Sequence, residues 1–273
     1  MTAALVALGT LALAASSVAD ASSGRRFAPR LGADTVVSSN WAGYAVSGTN
    51  ASGLPTSFTD VTGSWIQPKV SCTAGRPSYS AFWVGLGGFS SESQALEQIG
   101  TEANCDTGGH AVYAAWYELV PAPSTPIRMT VRPGDRITAA VLVQGGQVTL
   151  QLTNTTRHAR ATQRVTAPEL DLTSAEWIVD APSTCTISGR CRTLPLANFG
   201  SVSFTRAAAT GDAHSGTITD PAWAGTPIVL AETGAGGLGP FTTDHPSSSR
   251  SGATPGTLSA DGRSFAVLWR PAS

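Results

Sequence analysis

From Ser39 onward no stretch sustains the 3.6-residue apolar period of a helix, and this limits the fold more than any other feature. The chain runs instead in short segments rich in Val, Ile, Thr and aromatic residues, at 40–46, 63–67, 80–86, 94–101, 111–119, 127–131, 136–143, 147–154, 160–166, 175–179, 202–207, 227–230 and 264–269. Turn chemistry separates them, as in Pro133-Gly134-Asp135, Gln144-Gly145-Gly146 and Ala260-Asp261-Gly262. Two-faced strands joined by tight turns predict an all-β chain folded as an antiparallel β-sandwich or jelly roll. Residues 232–262, rich in Gly, Ser, Thr and Pro, read as one long surface loop before the final strand. No internal repeat and no domain break interrupt residues 39–273.

A hydrophobic content of 41% in 273 residues is enough for a large core. Charged residues are only 13% and the formal net charge is −1, which argues against nucleic acid or a polybasic membrane contact as partner. Residues 1–21 are apolar, rich in Ala and Leu, and end in Ala19-Asp20-Ala21, the small-residue pattern of a signal peptide. Residues 22–38 read as a linker or short pro-segment. No later segment reaches the ~20 apolar residues of a membrane helix. The expectation is a secreted, extracellular protein. Four cysteines suit an oxidising compartment and allow three pairings. Cys185 and Cys191 lie close together around Ser188-Gly189, which makes a small loop staple natural and leaves Cys72 for Cys105. A metal site is not expected, since neither C-x-x-C spacing nor clustered histidine is present.

Several apparent signatures fail on context. Gly234-Ala235-Gly236-Gly237-Leu238-Gly239 matches G-x-G-x-x-G, but Pro240 and a polar loop follow where a dinucleotide site needs a helix. Asp106-Thr107-Gly108 matches the aspartic-peptidase triplet, yet it follows a cysteine and has no second copy to form a carboxylate dyad. A turn is the better reading. Glu169-Leu170-Asp171 has the form of a paired-carboxylate glycosidase site, but lacks a third acid on the same strand face. His110, His158, His214 and His245 sit in polar surroundings and read as solvated or structural.

A different constellation survives. It comprises Ser39-Asn40-Trp41-Ala42-Gly43-Tyr44, then Trp83-Val84-Gly85 with Leu96-Glu97-Gln98-Ile99-Gly100, then Ala115-Trp116-Tyr117-Glu118, and finally Ala175-Glu176-Trp177-Ile178-Val179-Asp180. Strand alternation puts Leu96, Gln98 and Gly100 on one face, Trp116 and Glu118 on one face, and Glu176, Ile178 and Asp180 on one face. Polar groups alternating among tryptophans describe a cleft floor better than a dry core, because buried amides and carboxyls need partners.

At these residues, over roughly 39–207, the sequence resembles the eqolisins, or glutamic peptidases, with the segments in that family's order. The resemblance implies a lectin-like sandwich of two packed antiparallel sheets and a secreted, acid-acting endopeptidase. It also implies a catalytic glutamine–glutamate dyad. Gln98 matches the glutamine, whereas the glutamate position holds Asp180, one methylene shorter. Trp41, Trp83, Trp116 and Glu118 are implied as substrate-binding residues. Glu176, four residues and ~13 Å earlier along the strand, would not simply substitute for Asp180. The expected partner is a protein or peptide substrate, bound by a monomer that needs no cofactor. A sandwich that binds carbohydrate or peptide without cleaving it is the rival reading, kept open by the shorter acid.

Overall fold

The alternation read from the sequence is seen most plainly in a hairpin. Arg136–Gln144 and Gln147–Asn154 bury every second residue, including Ile137, Ala139, Val141, Val148, Leu150 and Leu152. Gly145 and Gly146 make the turn at φ 55° and 81°, the paired positive values of a two-residue hairpin turn that only glycine adopts without strain. The computed structural model describes residues 35–90, 93–185, 191–231, 241–242 and 251–272. Residues 1–21, expected to be a leader, the start of the 22–38 segment, the Gly234–Gly239 run and His245 lie outside the described residues.

The strands, in chain order, are β1 (Val36–Ser38), β2 (Trp41–Ser47), β3 (Phe58–Ile66), β4 (Ala81–Gly87), β5 (Leu96–Cys105), β6 (Ala111–Val120) and β7 (Thr125–Ile127). Next come β8 (Arg136–Gln144), β9 (Gln147–Asn154), β10 (Ala159–Thr166), β11 (Ser174–Asp180), β12 (Ser183–Cys185) and β13 (Cys191–Thr193). The last are β14 (Ser201–Gly211), β15 (His214–Gly216), β16 (Ala224–Leu230), β17 (Phe241–Thr242), β18 (Gly252–Pro255) and β19 (Phe265–Arg270). No helix occurs among the described residues.

One sheet runs β7-β6-β5-β4-β11-β2-β16-β1-β17. The other runs β10-β9-β8-β3-β14-β19-β18, with β15 folded back on β14. A single pairing, Leu230 with Ala253, joins β16 to β18 and links the two layers along one side. All pairings are antiparallel except β1 with β16. The expected antiparallel sandwich of two packed sheets is the observed fold.

Between the layers, Phe82, Val84, Leu86, Ile99 and Trp177 face Val61, Trp65, Ile137, Val141, Leu150 and Phe204, all buried. Burying a side chain such as Phe82 or Leu86 contributes roughly 1.5–3 kcal/mol. The polar atoms taken inside are matched across the gap. Trp177 Nε1 donates to the Thr62 carbonyl at 2.8 Å, and Trp65 Nε1 donates to Thr101 Oγ1 at 3.0 Å.

Three expectations need correction. Residues 127–131 are not a strand, because β7 stops at Ile127 where the Met129 N–H turns back to the Ile127 carbonyl at 2.7 Å. The 22–38 segment is not wholly a linker: its end, Val36–Ser38, is strand β1, buried beside β16. The long loop at 232–262 contains β17 and β18, the latter closing the gap between the sheets. Cys72 and Cys105 form the expected disulfide, with Cα atoms 5.4 Å apart. Cys185 and Cys191 stand opposite one another in the β12–β13 register, and their side chains lie outside the described residues.

Close approach of β2 to β11 depends on Gly43. A Cβ there would lie 2.0 Å from the Trp177 carbonyl oxygen, and its φ of +152° is hostile to other residues. Gly43→Ala is expected to destabilise the fold by more than about 3 kcal/mol, as steric and backbone conflicts in a core do. Thermal melting against the native protein checks this, and an unchanged midpoint would contradict the packing described. Reducing Cys72–Cys105, which spans 33 residues, is expected to cost about 2–4 kcal/mol in the same assay.

Candidate active site

Strand β11 shows how the sequence builds the site. Trp177, Val179 and Ala175 point into the core between the sheets, so Glu176, Ile178 and Asp180 point to the opposite face of their sheet. That face is lined by Trp41, Trp83, Leu96, Trp116 and Val120. Residues opposite each other in an antiparallel pair share a face, so the strand registers order it into rows. One row reads Thr226, Ala45, Glu176, Gly85, Gln98, Glu118. The next reads Gly43, Ile178, Trp83, Gly100, Trp116. The third reads Trp41, Asp180, Ala81, Glu102.

Two glycines clear space in this floor. A Cβ on Gly85 would touch the Trp83 ring at 3.0 Å and Leu96 at 3.1 Å, and one on Gly100 would lie 2.7 Å from the Trp83 Cβ. Gly100 stands between Trp83 and Trp116 on their row. Trp41 meets Trp83 edge-on, with ring centroids 5.0 Å apart.

The structure brings Gln98 and Glu118 together. Gln98 Nε2 donates to Glu118 Oε2 at 2.6 Å, which fixes the amide and leaves Gln98 Oε1 buried without a partner. The indole N–H of Trp116 is likewise buried and unmatched. Asp180 is held elsewhere on the same face. Asn40 Nδ2 donates to Asp180 Oδ1 at 3.4 Å, and Ser38 Oγ in turn donates to Asn40 Oδ1 at 3.2 Å. Burial pushes the Asp180 carboxyl up to about 7, opposed by the Trp83 and Asn40 side chains beside it. The Trp83 N–H lies beside that carboxyl without a well-formed hydrogen bond to it.

Gln98 and Asp180 are not hydrogen-bonded to each other. They sit two strands and two rows apart, with Trp83 on the row between them. Glu176, set aside on strand distance alone, shares the row of Gln98 across Gly85, about 10 Å from backbone to backbone. It is wholly buried, neither carboxyl oxygen has a partner, and desolvation raises it well above the ordinary carboxyl range. Glu97, on the other side of the strand, is also buried and unmatched, and burial with the nearby Asp171 charge raises it to about 8. Asn40 was missed as a site residue, although the Asn40-Trp41 pair opening the domain held the signal. The Asp106-Thr107-Gly108 triplet is the expected turn, with Asp106 Oδ1 accepting from the His110 N–H at 2.7 Å.

A family model described as the peptidase A4 family matches residues 39–236, more than half of the chain. The chain belongs to the peptidase A4, or eqolisin, family. Among solved structures this eqolisin is similar to scytalido-glutamic peptidase bound to a peptide-based transition-state analogue. The TM-score is 0.65 and the identity 21%, over 85% of this chain and 98% of that one. SCP-B, an eqolisin in complex with the tripeptide Ala-Ile-His, gives 0.62 and 21%, over 85% and 98%. Aspergilloglutamic peptidase from Aspergillus niger gives 0.51 and 23%, over 70% and 99%. At such identities the structural likeness speaks for the fold, while the family match makes the chain a peptidase by kind. No curated protein sequence matches it.

The buried carboxyls of this eqolisin set its pH response. An acid whose folded pKa lies above its unfolded value binds its proton more tightly when folded, so folding loses stability as pH rises from the unfolded to the folded pKa. For Asp180, moving from 3.8 to about 7, the loss amounts to about 4 kcal/mol. Glu97 adds in the same direction between 4.5 and about 8. The melting temperature is expected to fall steadily from pH 4 to pH 8, and Asp180→Asn, neutral throughout, to flatten the slope up to pH 7. Melts at fixed ionic strength check this. A midpoint that rises across that range would contradict the burial of these groups.

Proposed function

We propose that this eqolisin is a secreted, acid-acting endopeptidase that hydrolyses peptide bonds with Gln98 and Asp180. One observation carries the reading: on a floor of tryptophans, a fixed glutamine amide and a carboxyl held neutral in acid face the same cleft. The unmatched acceptor at Gln98 and donor at Trp116 suit a ligand that carries both, as a peptide bond does. The disulfide supports an oxidising destination. So does the acid-favouring burial of Glu97, Glu176 and Asp180 for work at low pH.

In the acid range Asp180 carries its proton. Its bare oxygen takes a proton from water as the water oxygen bonds to the scissile carbonyl carbon. At the same time its hydroxyl hands a proton to the carbonyl oxygen. Gln98 has one N–H committed to Glu118 and a second to donate to that oxygen as charge gathers there. Asp180 then protonates the departing nitrogen and regains a proton from the tetrahedral centre as the C–N bond breaks. The pH-dependence follows from this cycle: kcat/KM should fall as pH passes through about 7, where the carboxyl loses the proton it must give.

Register favours a second reading, in which Glu176 is the carboxyl partnering Gln98. Burial does not separate the two, since Asp180 is as deeply buried as Glu176 and both carboxyls are held neutral in acid.

Kinetics on one peptide at acid pH separate the two. Asp180→Asn, which keeps the size but cannot take and return a proton, is expected to lower kcat/KM by roughly 10²–10⁴-fold with folding intact. Asp180→Glu is expected to raise it about tenfold or more by restoring reach. Gln98→Glu should impair turnover, since it replaces the N–H donor with a second acid beside Glu118. Full activity in Asp180→Asn together with loss in Glu176→Gln would transfer the acid role to Glu176. Glycan binding with no proteolysis in any of them would overturn the peptidase mechanism.

A further inference from the structure

At the Ser174 end of β11 the cleft opens into a cavity of ≈ 550 Å³. Ser174, Ser47 and Ala224 form the row next to that of Gln98, one same-face step of ~7 Å along the strands. The cavity therefore adjoins the row of Gln98, on the side away from Asp180. Its upper wall is the 167–173 segment between β10 and β11, which brings Glu169, Leu170, Asp171 and Thr173 over the opening. Glu169-Leu170-Asp171 is the acidic pair that the sequence offered as a glycosidase motif and that the peptidase chemistry does not use.

The chemistry of this lining is one-sided. Glu169 and Asp171 supply two carboxylates, and no described lining residue is Lys, Arg or His. The negative field reaches into the sheet, where Asp171 helps to hold protonated both Glu176, on the floor, and Glu97, on the other side of its strand. Asp171 is also rigidly placed: it accepts from the Gly88 N–H at 3.2 Å, the Thr173 N–H at 2.9 Å and the Thr173 hydroxyl at 2.7 Å. Phe89, Pro55 and Leu170 give the cavity apolar flanks. A separate observation points to a ligand. Ser174, 1% exposed and lining the cavity, has a hydroxyl with no hydrogen-bond partner. The Ser174 hydroxyl lies beside the Glu176 carboxyl and favours its charged form, without a well-formed hydrogen bond between them.

We infer that this cavity is a substrate subsite for a basic side chain, arginine above lysine. An arginine stem would lie along Phe89 and Leu170. Its planar guanidinium would donate to Glu169, Asp171 and Ser174 Oγ in a fork that an ammonium cannot match. From the Trp83 row to the Ser174 row is four residues along β11, ~13 Å, so an extended peptide crossing the cleft would place the basic residue about four positions from the bond attacked. The inference rests on the peptidase reading for its substrate, but its test does not.

Binding is measured by fluorescence anisotropy with full-length protein at pH 6 and low salt. The probes are labelled nonapeptides of one sequence, with a single arginine moved through every position, each matched by a citrulline peptide of the same shape without the charge. At one or two positions the arginine peptide is expected to bind at least tenfold more tightly, with the preference shrinking in 1 M salt. Glu169→Gln, an exposed position that should not disturb folding, is expected to reduce that ratio about threefold. Glu169→Gln combined with Asp171→Asn should bring it near one, with melting temperature checking the fold. No arginine preference at any position, or one that Glu169→Gln leaves unchanged, overturns the subsite. Cleavage is followed separately on the same peptides. A surviving preference without cleavage sinks the peptidase mechanism and leaves the subsite standing, whereas cleavage of both series alike, with equal binding, does the reverse.

Discussion

The placement of Trp177 is the constraint on which the rest of the structure depends. Its ring fills the space between the two sheets, its N–H reaches the Thr62 carbonyl on the opposite layer, Gly63 leaves room for the indole, and Gly43 lets β2 approach its backbone. A strand has a side-chain period of two, so a slip of one residue would send Trp177 to the cleft and the carboxyls to the core. Anchoring one indole therefore fixes where Glu176 and Asp180 stand. The same strand is paired on both sides, to β2 and β4, which carries that register outward to Trp41, Trp83 and Gln98.

The cleft face is unusual for a sandwich in the number of carboxyls it takes out of water. Glu118 is matched by Gln98 and Asp180 partly by Asn40, but Glu176 has no hydrogen-bond partner for either oxygen, nor has Glu97 on the opposite side of its strand. Burying an unpaired carboxylate is so costly that such groups keep their protons instead. The fold thus gains stability from acid, the opposite of the usual protein in which salt-bridged carboxylates make acid destructive. The salt bridges that do occur are peripheral, such as Arg157 with Asp135 at 2.7 Å, and away from the cleft.

The chemical character of one sheet changes along its strands. Toward the Asp180 end lie the indoles, the carboxyl and its Asn40 support. In the middle the amide of Gln98 is clamped by Glu118 across a single strand pair. Toward the Ser174 end the floor opens under an acidic rim. Glycines at 85 and 100 let the Trp83 side chain pack down onto the sheet between these rows. The sheet thus serves as a ruler, with same-face residues ~7 Å apart marking successive positions.

Much of this was legible before any coordinates. The absence of a helical period, the turn residues and the period-two alternation specify an all-β sandwich, because each is a local consequence of backbone geometry. Alternation alone put Glu176, Ile178 and Asp180 on one face, and Gln98 with Leu96 and Gly100 on one face. Local pattern says nothing, however, about which residue of one strand stands opposite which residue of another. Only the tertiary registers decided that Gln98 meets Glu118 directly and shares its row with Glu176 while Asp180 lies two rows away. They likewise decided that Asn40 supports Asp180 and that Val36–Ser38 joins the sheet beside β16. Register and burial arise from packing between segments far apart in the chain, 140 residues for Asn40 with Asp180 and 212 for Tyr44 with Gly256. Those distances exist only once the two sheets have closed on their shared core.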